Sequence, residues 1–214
     1  DVYKRQDHKS LTKGMIENIN KNAQDLAKQG MQVIALASKR EYRGKDIFNS
    51  DDEKDMTFIG FVAFLDPPKK EVKETIKKLK EYGITTKILT GDNPYAANNI
   101  CNLVGLENKE TLLGTDIDKM SDEELAKKVE EVNVFARMNP LQKERVVKQL
   151  KNNGHVVGYM GDGVNDAPSL HNADVGICVN TATDIAKEAS DIILLEKSLK
   201  VIFNGVIEGR KVYG

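Results

Sequence analysis

Cysteine is scarce in this chain of 214 residues: Cys101 and Cys178 are the two present. Two thiols make neither a disulfide scaffold nor a cysteine zinc cage, and they read as reduced thiols in a cytosolic setting. A basic surplus is missing too. Lys and Arg total 32 and Asp and Glu total 33, a formal charge of −1, which argues against nucleic acid as a partner, because an electrostatic binder needs a positive excess. No stretch nears the roughly 18–20 apolar residues of a membrane span, and the longest apolar run, Phe58 to Leu65, is of strand length. The three histidines, His8, His155 and His171, show no ligand spacing. Neither a GxxxxGK[ST] loop nor a GxGxxG fingerprint occurs, which disfavours P-loop and dinucleotide chemistry.

What remains is 40% hydrophobic and 30% charged, the composition of a soluble globular protein large enough for one large or two small domains. Residues 10–28 carry Ile16, Ile19, Ala23 and Leu26 at helical spacing with Gly30 as a stop, and a strand follows at 31–38. Residues 39–55 are polar and Asp-rich, a linker or domain edge. From there the pattern predicts strict alternation. Strands are expected at 58–65, 86–89, 134–136, 156–160, 175–179 and 192–195, and helices at 69–82, 95–104, 122–132, 141–152 and 184–189. Pro68 suits a first helical turn, Gly83, Gly105 and Gly154 suit helix ends, and Ser121 to Glu124 reads as a capping box. Short apolar strands alternating with helices imply an α/β fold with a doubly wound, mostly parallel sheet. Residues 198–214 read as a helix with Leu199, Ile202, Phe203, Val206 and Ile207 on one face.

In such a sheet, ligands bind beyond the carboxyl ends of the strands. Those ends are Asp66-Pro67-Pro68, Thr90-Gly91-Asp92, Arg137 to Pro140, and Gly161 to Asp166, and all 5 prolines lie in or beside these segments. Asp162 and Asp166 stand four apart, so a turn into a helix brings both carboxylates to one side, as hard Mg²⁺ requires; a plain Asp-Gly turn is the alternative. Thr90 and the amides after it suit phosphate oxygens at a strand-to-helix junction, or merely cap the next helix. Lys143, in the first turn after Pro140, either points its charge at the same rim or is solvated, and Arg137 has the same two readings. Four segments of independent composition converge on one rim, and that convergence outweighs the separate structural readings.

The segments DPPK (66–69), ILTGDN (88–93), FARMNPLQK (135–143) and MGDGVNDAPSL (160–170) closely resemble the phosphorylation domain of P-type cation-transporting ATPases, within the haloacid dehalogenase-like superfamily. The stretch at 173–199 looks most like magnesium-transporting members. The resemblance implies residues 1–55 as the tail end of an inserted nucleotide-binding domain with its linker, 56–197 as the phosphorylation domain, and 198–214 as the start of a stalk helix toward the membrane. It implies transfer of the ATP γ-phosphoryl group to an aspartate, with Mg²⁺ as cofactor and a divalent cation, Mg²⁺ or another, as cargo. Asp162 and Asp166 would then hold Mg²⁺, Thr90 and Gly91 the transferring oxygens, and Lys143 would offset their charge. Asp92, Arg137 and Asn165 would contact nucleotide or phosphate, and Asp66 would lie near the ribose. The implied setting is the cytoplasmic face of a membrane, the other partner the remainder of the same pump polypeptide.

Three positions depart from the family pattern. No Asp-Lys-Thr-Gly-Thr, the family's nucleophile segment, occurs in the sequence. The expectation is therefore a fragment that begins after the nucleophile, ends before the membrane, and has no ATPase activity alone. Lys69 stands where many members have arginine, keeping the charge and losing the bidentate fork. Gln32 stands where an arginine often contacts nucleotide. The competing readings are a soluble Mg²⁺-dependent haloacid dehalogenase-like phosphatase and a non-catalytic regulatory fragment that binds Mg²⁺ or a nucleotide.

Overall fold

The computed structural model describes residues 10–39, 52–64 and 68–213, and the chain divides into two compact units, Asp1–Asp66 and Pro67–Gly214. In the first unit, Thr12 caps helix α1 (Lys13–Lys28) by accepting the Met15 amide, and Gly30, at φ 83°, turns the chain out of the helix. Strand β1 (Gln32–Ser38) pairs antiparallel with β2 (Thr57–Phe64) in a two-stranded sheet, with a register shift between Leu36 and Ala37. β2 was expected to open the parallel, alternating part of the chain. Its apolar run is a strand, but its described partner is β1, with Gln32 opposite Phe64. Apolar content specifies an extended segment without naming its neighbour, which is why the pairing was illegible.

The second unit alternates as the spacing predicts. Its elements in order are α2 (Lys70–Glu81), β3 (Ile88–Leu89), α3 (Pro94–Val104), β4 (Thr111–Leu113), α4 (Gly114–Ile117), α5 (Asp122–Glu131), β5 (Val134–Ala136), α6 (Pro140–Asn152), β6 (Gly158–Met160), α7 (Ala167–Asn172), β7 (Val175–Val179), α8 (Asp184–Glu188), β8 (Ile192–Leu194) and α9 (Leu199–Tyr213). A 3₁₀ turn, Val164–Asp166, precedes α7. The strands form two three-stranded sheets, in the orders β3-β5-β4 and β6-β7-β8, with every pair parallel.

The middle strands carry the core. Val134, Phe135 and Ala136 of β5 are fully buried, as are Cys178 and nearly all of Val179 in β7. Successive residues of α6 serve both sheets: Val146 packs with Phe135, Leu125 and Val129, whereas Val147 packs with Tyr159, Leu170 and Cys178. Leu89 of β3 touches both clusters. One helix and one strand residue therefore hold the two sheets against a common interior. Cys101 is buried against Ala97, Val134 and Ala136, where burial pushes its thiol up to about 11 and keeps it protonated.

β4 and α4 were not anticipated. Three residues, Thr111–Leu113, show no usable periodicity, and it is pairing with β5 that makes them a strand. α4 opens on Gly114, where a Cβ would lie 2.6 Å from the Arg137 carbonyl oxygen and collide with the Gln142 side chain. α9 packs on α2: the rings of Tyr82 and Phe203 meet edge to face at 5.3 Å, and Arg210 donates to the Tyr82 carbonyl at 2.7 Å. No helix among the described residues is long and apolar enough to cross a membrane.

Candidate active site

The rim begins at the end of β3. Thr90 donates its amide to Phe135 of β5 at 2.9 Å, and its own carbonyl accepts the Met138 amide at 3.0 Å. The Asp92 carbonyl accepts the Arg137 amide at 2.8 Å. These bonds lash the Thr90–Asp92 loop to the loop after β5. The Thr90 hydroxyl donates to Asp92 Oδ2 at 3.1 Å and accepts the Asp92 amide at the same distance. It thus sits in a closed local turn at the mouth of the strand. Asn93 then caps α3 by accepting the Ala96 amide, with Pro94 at the first helical position. The capping role weighed for this segment is therefore filled by Asn93, and Thr90 stays at the strand end. Gly91 is exposed, and a Cβ there would rest 3.6 Å from the Met138 carbonyl, an ordinary contact.

Arg137 is held at φ 51°, a left-handed backbone that a side chain rarely adopts. That turn reverses the chain between β5 and α6, so Asn139 can cap α6. Asn139 Oδ1 accepts the Gln142 amide at 2.9 Å, and Gln142 Oε1 accepts the Asn139 amide at 2.8 Å. This reciprocal cap fixes the first turn, and Lys143 lies in it. The Arg137 side chain is exposed, with no partner among the described residues.

Lys143 reaches the second sheet. Its Nζ is 2.8 Å from Asp166 Oδ1, and the two side chains are only 12% and 14% exposed. The solvated reading of Lys143 does not hold. Tyr159 of β6 donates its hydroxyl to the same Oδ1 at 2.9 Å, and the Gly163 amide donates to Oδ2 at 3.3 Å. Burial pushes the Asp166 carboxyl up, but Lys143, Tyr159 and Gly163 together outweigh it and hold the group below its ordinary value. Gly161 makes this possible: a Cβ there would lie 2.5 Å from Asp166 Cβ.

Asp162 is the open carboxylate. Its side chain is 60% exposed, 3.6 Å from Lys197 Nζ, and its carbonyl accepts the Thr183 amide at 3.0 Å, tying the loop to the cap of α8. Asn165 is exposed, and Asp66 lies outside the described residues. Thr90, Gly91, Asp92 and Arg137 therefore form one bonded group, and Lys143 and Asp166 form another, joined through the Asn139 cap. Two side chains that touch the expected aspartates, and that the sequence did not single out, are Tyr159 and Lys197. The signal for Tyr159 was a single polar tip in an apolar strand running straight into the Gly161–Asp166 loop.

The donor set suits one metal class. No group of three or more His, Cys, Asp or Glu able to hold a metal occurs among the described residues, which leaves no transition-metal cage. One exposed carboxylate, approached by Lys197 at 3.6 Å, fits at most Mg²⁺, which keeps most of its waters and takes the rest from phosphate. Asp162 would hold it there, where a bound Mg²⁺ would neutralise phosphoryl charge. A cleft of about 550 Å³ lined by Lys69, Glu71, Glu196, Lys197, Ser198 and Asn204, among others, shares only Lys197 with this rim.

A family profile described as haloacid dehalogenase-like hydrolase matches residues 5–174. The chain is 49% identical over 199 residues to a magnesium-transporting P-type ATPase of Escherichia coli K12, covering 93% of this chain and 22% of that protein. It is 47% identical over 203 residues to a Salmonella typhimurium LT2 protein of the same description, covering 95% and 22%. A calcium-transporting ATPase of Bacillus cereus is 38% identical over 206 residues, covering 95% and 23%. The chain thus spans less than a quarter of the length of these relatives. With two aspartates, a largely shielded lysine and a strand-end threonine near the carboxyl ends of parallel strands, and a profile match across most of its residues, the chain belongs to the haloacid dehalogenase-like hydrolase family.

Proposed function

We propose that this chain is part of the phosphoryl-transfer core of an ATP-driven divalent-cation pump that works through an aspartyl-phosphate intermediate. The observation that carries it is that β3 and β6 are edge strands of two parallel sheets. β3 and β6 each have a partner on one side only among the described residues, while Leu89 and α6 join both sheets to one interior. Ile88 and Thr90 donate their amides toward β5, so the Leu89 amide faces the open side. One parallel strand between β3 and β6 would complete a single sheet, and its carboxyl end would emerge between Thr90 and Asp162. An acceptor aspartate on such a strand would meet the Thr90 hydroxyl and the Thr90–Asp92 amides on one side and Lys143 on the other.

In this reading Thr90 and the neighbouring amides orient the phosphoryl oxygens, and Lys143 opposes charge that builds on them in transfer. Asp166 holds Lys143, and Asp162 faces Mg²⁺. Arg137, Asp92 and Asn165, exposed at the rim, would contact the nucleotide. The transported ion is of the class named for the relatives, a divalent cation, taken up by membrane segments of the parent polypeptide, with this unit on the cytoplasmic face. No Asp-Lys-Thr-Gly-Thr segment is present, so these residues alone are expected to have no ATPase activity.

The test is phosphate incorporation from γ-labelled ATP into the full-length parent. A Mg²⁺-dependent, hydroxylamine-labile phosphoprotein is expected, with Asp162→Ala lowering its formation by about a hundredfold or more. A phosphoprotein resistant to hydroxylamine, or none at all in an ATP-hydrolysing parent, would refute the reading.

A further inference from the structure

We propose that Tyr159 is a positioning residue of this site: its phenol holds the Asp166 carboxylate in the one rotation that presents Oδ1 to Lys143. The claim about geometry stands by itself, and its bearing on phosphoryl binding rests on the function proposed above.

The carboxylate of Asp166 receives three donors from three separate parts of the fold. Lys143 comes from the first turn of α6 at 2.8 Å, Tyr159 from β6 at 2.9 Å, and the Gly163 amide from the loop at 3.3 Å. The lysine is the one long, flexible member. The loop amide is the longest of the three contacts. The phenol is the rigid one: Tyr159 is 9% exposed, and its ring packs in the cluster with Val147, Leu170 and Ile177. A ring locked by packing delivers its para oxygen to a fixed point, and a tyrosine has only two side-chain torsions to restrain. Burial and the neighbouring Asp166 charge both push the phenol's pKa up, so the hydroxyl keeps its proton and acts as donor.

A second observation concerns Ser169. Its hydroxyl is fully buried and lies close enough to the phenol to influence it. The polar tip of Tyr159 is therefore enclosed by groups that favour an oxygen at that point. A phenylalanine would satisfy the packing equally and leave Asp166 Oδ1 one partner short. Without the phenol, Oδ1 keeps Lys143 alone. The carboxylate is then held by the longer Gly163 contact and the flexible lysine alone, so it rotates more easily and Lys143 gains freedom to move toward solvent.

The test uses the 214-residue chain and reads Lys143 directly. Wild type, Tyr159→Phe and Asp166→Asn are acetylated briefly at fixed pH, and modification at Lys143 is quantified by mass spectrometry against the exposed Lys148 and Lys127. Both variants are expected to raise the Lys143 rate about tenfold or more, the scale of one lost hydrogen bond to a charged group. The melting temperature of Tyr159→Phe should stay near that of wild type. Incorporating 4-aminophenylalanine at position 159 restores a para donor and should return the rate toward wild type, which a purely structural role would not do. In parallel, calorimetry follows Mg²⁺ added with inorganic phosphate, where Tyr159→Phe is expected to weaken binding about threefold. An unchanged Lys143 rate overturns the proposal, and a raised rate with unchanged binding overturns its bearing on phosphate while the positioning of Lys143 stands. Asp162→Ala separates the two claims: if it leaves Mg²⁺ binding intact, the reading of the metal site fails, while the acetylation result still decides Tyr159.

Discussion

At the scale of single residues the site depends on what is absent from a side chain as much as on what is present. Gly161 has no Cβ, and one would lie 2.5 Å from Asp166 Cβ. Gly161→Ala is therefore expected to displace Asp166, break its bonds to Lys143 and Tyr159, and destabilise the fold by about 1–3 kcal/mol, as overpacking does; a urea midpoint equal to wild type would contradict this. Asp162 and Asp166 look alike in the sequence, four apart on one loop, and were read together as metal ligands. Their surroundings separate them. Asp166 is mostly buried and engaged by three donors, whereas Asp162 is more than half exposed. Residue type and spacing named both aspartates, and their environments differ: Asp166 meets Lys143 at 2.8 Å in a shielded place, Asp162 meets Lys197 at 3.6 Å at the surface. Tyr159 was invisible for the same reason: a tyrosine in an apolar strand reads as core until its hydroxyl is given a neighbour.

At the scale of elements, caps and short electrostatic ties set where the chemistry-bearing residues stand. The Asn139–Gln142 box fixes the start of α6, and Gln142 also donates to Asp118 Oδ2 at 2.7 Å. Asn139→Ala is expected to cost about 1 kcal/mol of stability and, because Lys143 lies in that turn, to raise its acetylation as well; a stability loss without a change at Lys143 would separate the cap from the site. At the other end of the strands, Asp174 accepts the Val157 amide at 2.8 Å and pairs with Lys151 at 3.1 Å, so its carboxyl is held below the ordinary value. A depressed folded-state pKa stabilises the native chain above the unfolded value of about 3.9 and is lost as pH falls through the folded value. The difference in urea midpoint between wild type and Asp174→Asn should thus be full near pH 6 and shrink as pH drops below about 4. A difference independent of pH would assign the effect to the amide bond alone. Element type was legible wherever a run was long: α2, α3, α5 and α6 fall within a residue or two of the expected bounds. β4 and α4 were not, because three or four residues carry no period and take their form from Val134–Ala136 and Gln142 beside them.

At the scale of the whole second unit, the arrangement is two parallel sheets around one interior, each with an inner strand lacking a partner on one side among the described residues. The Leu89 amide is expected to exchange with solvent deuterium far faster in this chain than the Thr90 amide, which is bonded to Phe135. In the full-length parent, a strand between β3 and β6 should slow Leu89 exchange about a hundredfold or more; equal exchange in both proteins would rule out a strand at that edge. By itself the sequence determined the alternation of strands and helices, the strand-end loops that bear Thr90, Asp92, Asp162 and Asp166, the helix turn that bears Lys143, and the absence of a long apolar span. Those are local properties: periodicity, turn residues and caps act over a few positions. Only the tertiary structure decided that β2 pairs with β1, that β3 and β6 stand at the edges of different sheets, that Asp166 meets Lys143, and that the Tyr159 hydroxyl donates to Asp166. Each depends on residues far apart in the chain. Hydrogen bonds and burial act through space, and no spacing along the sequence records them.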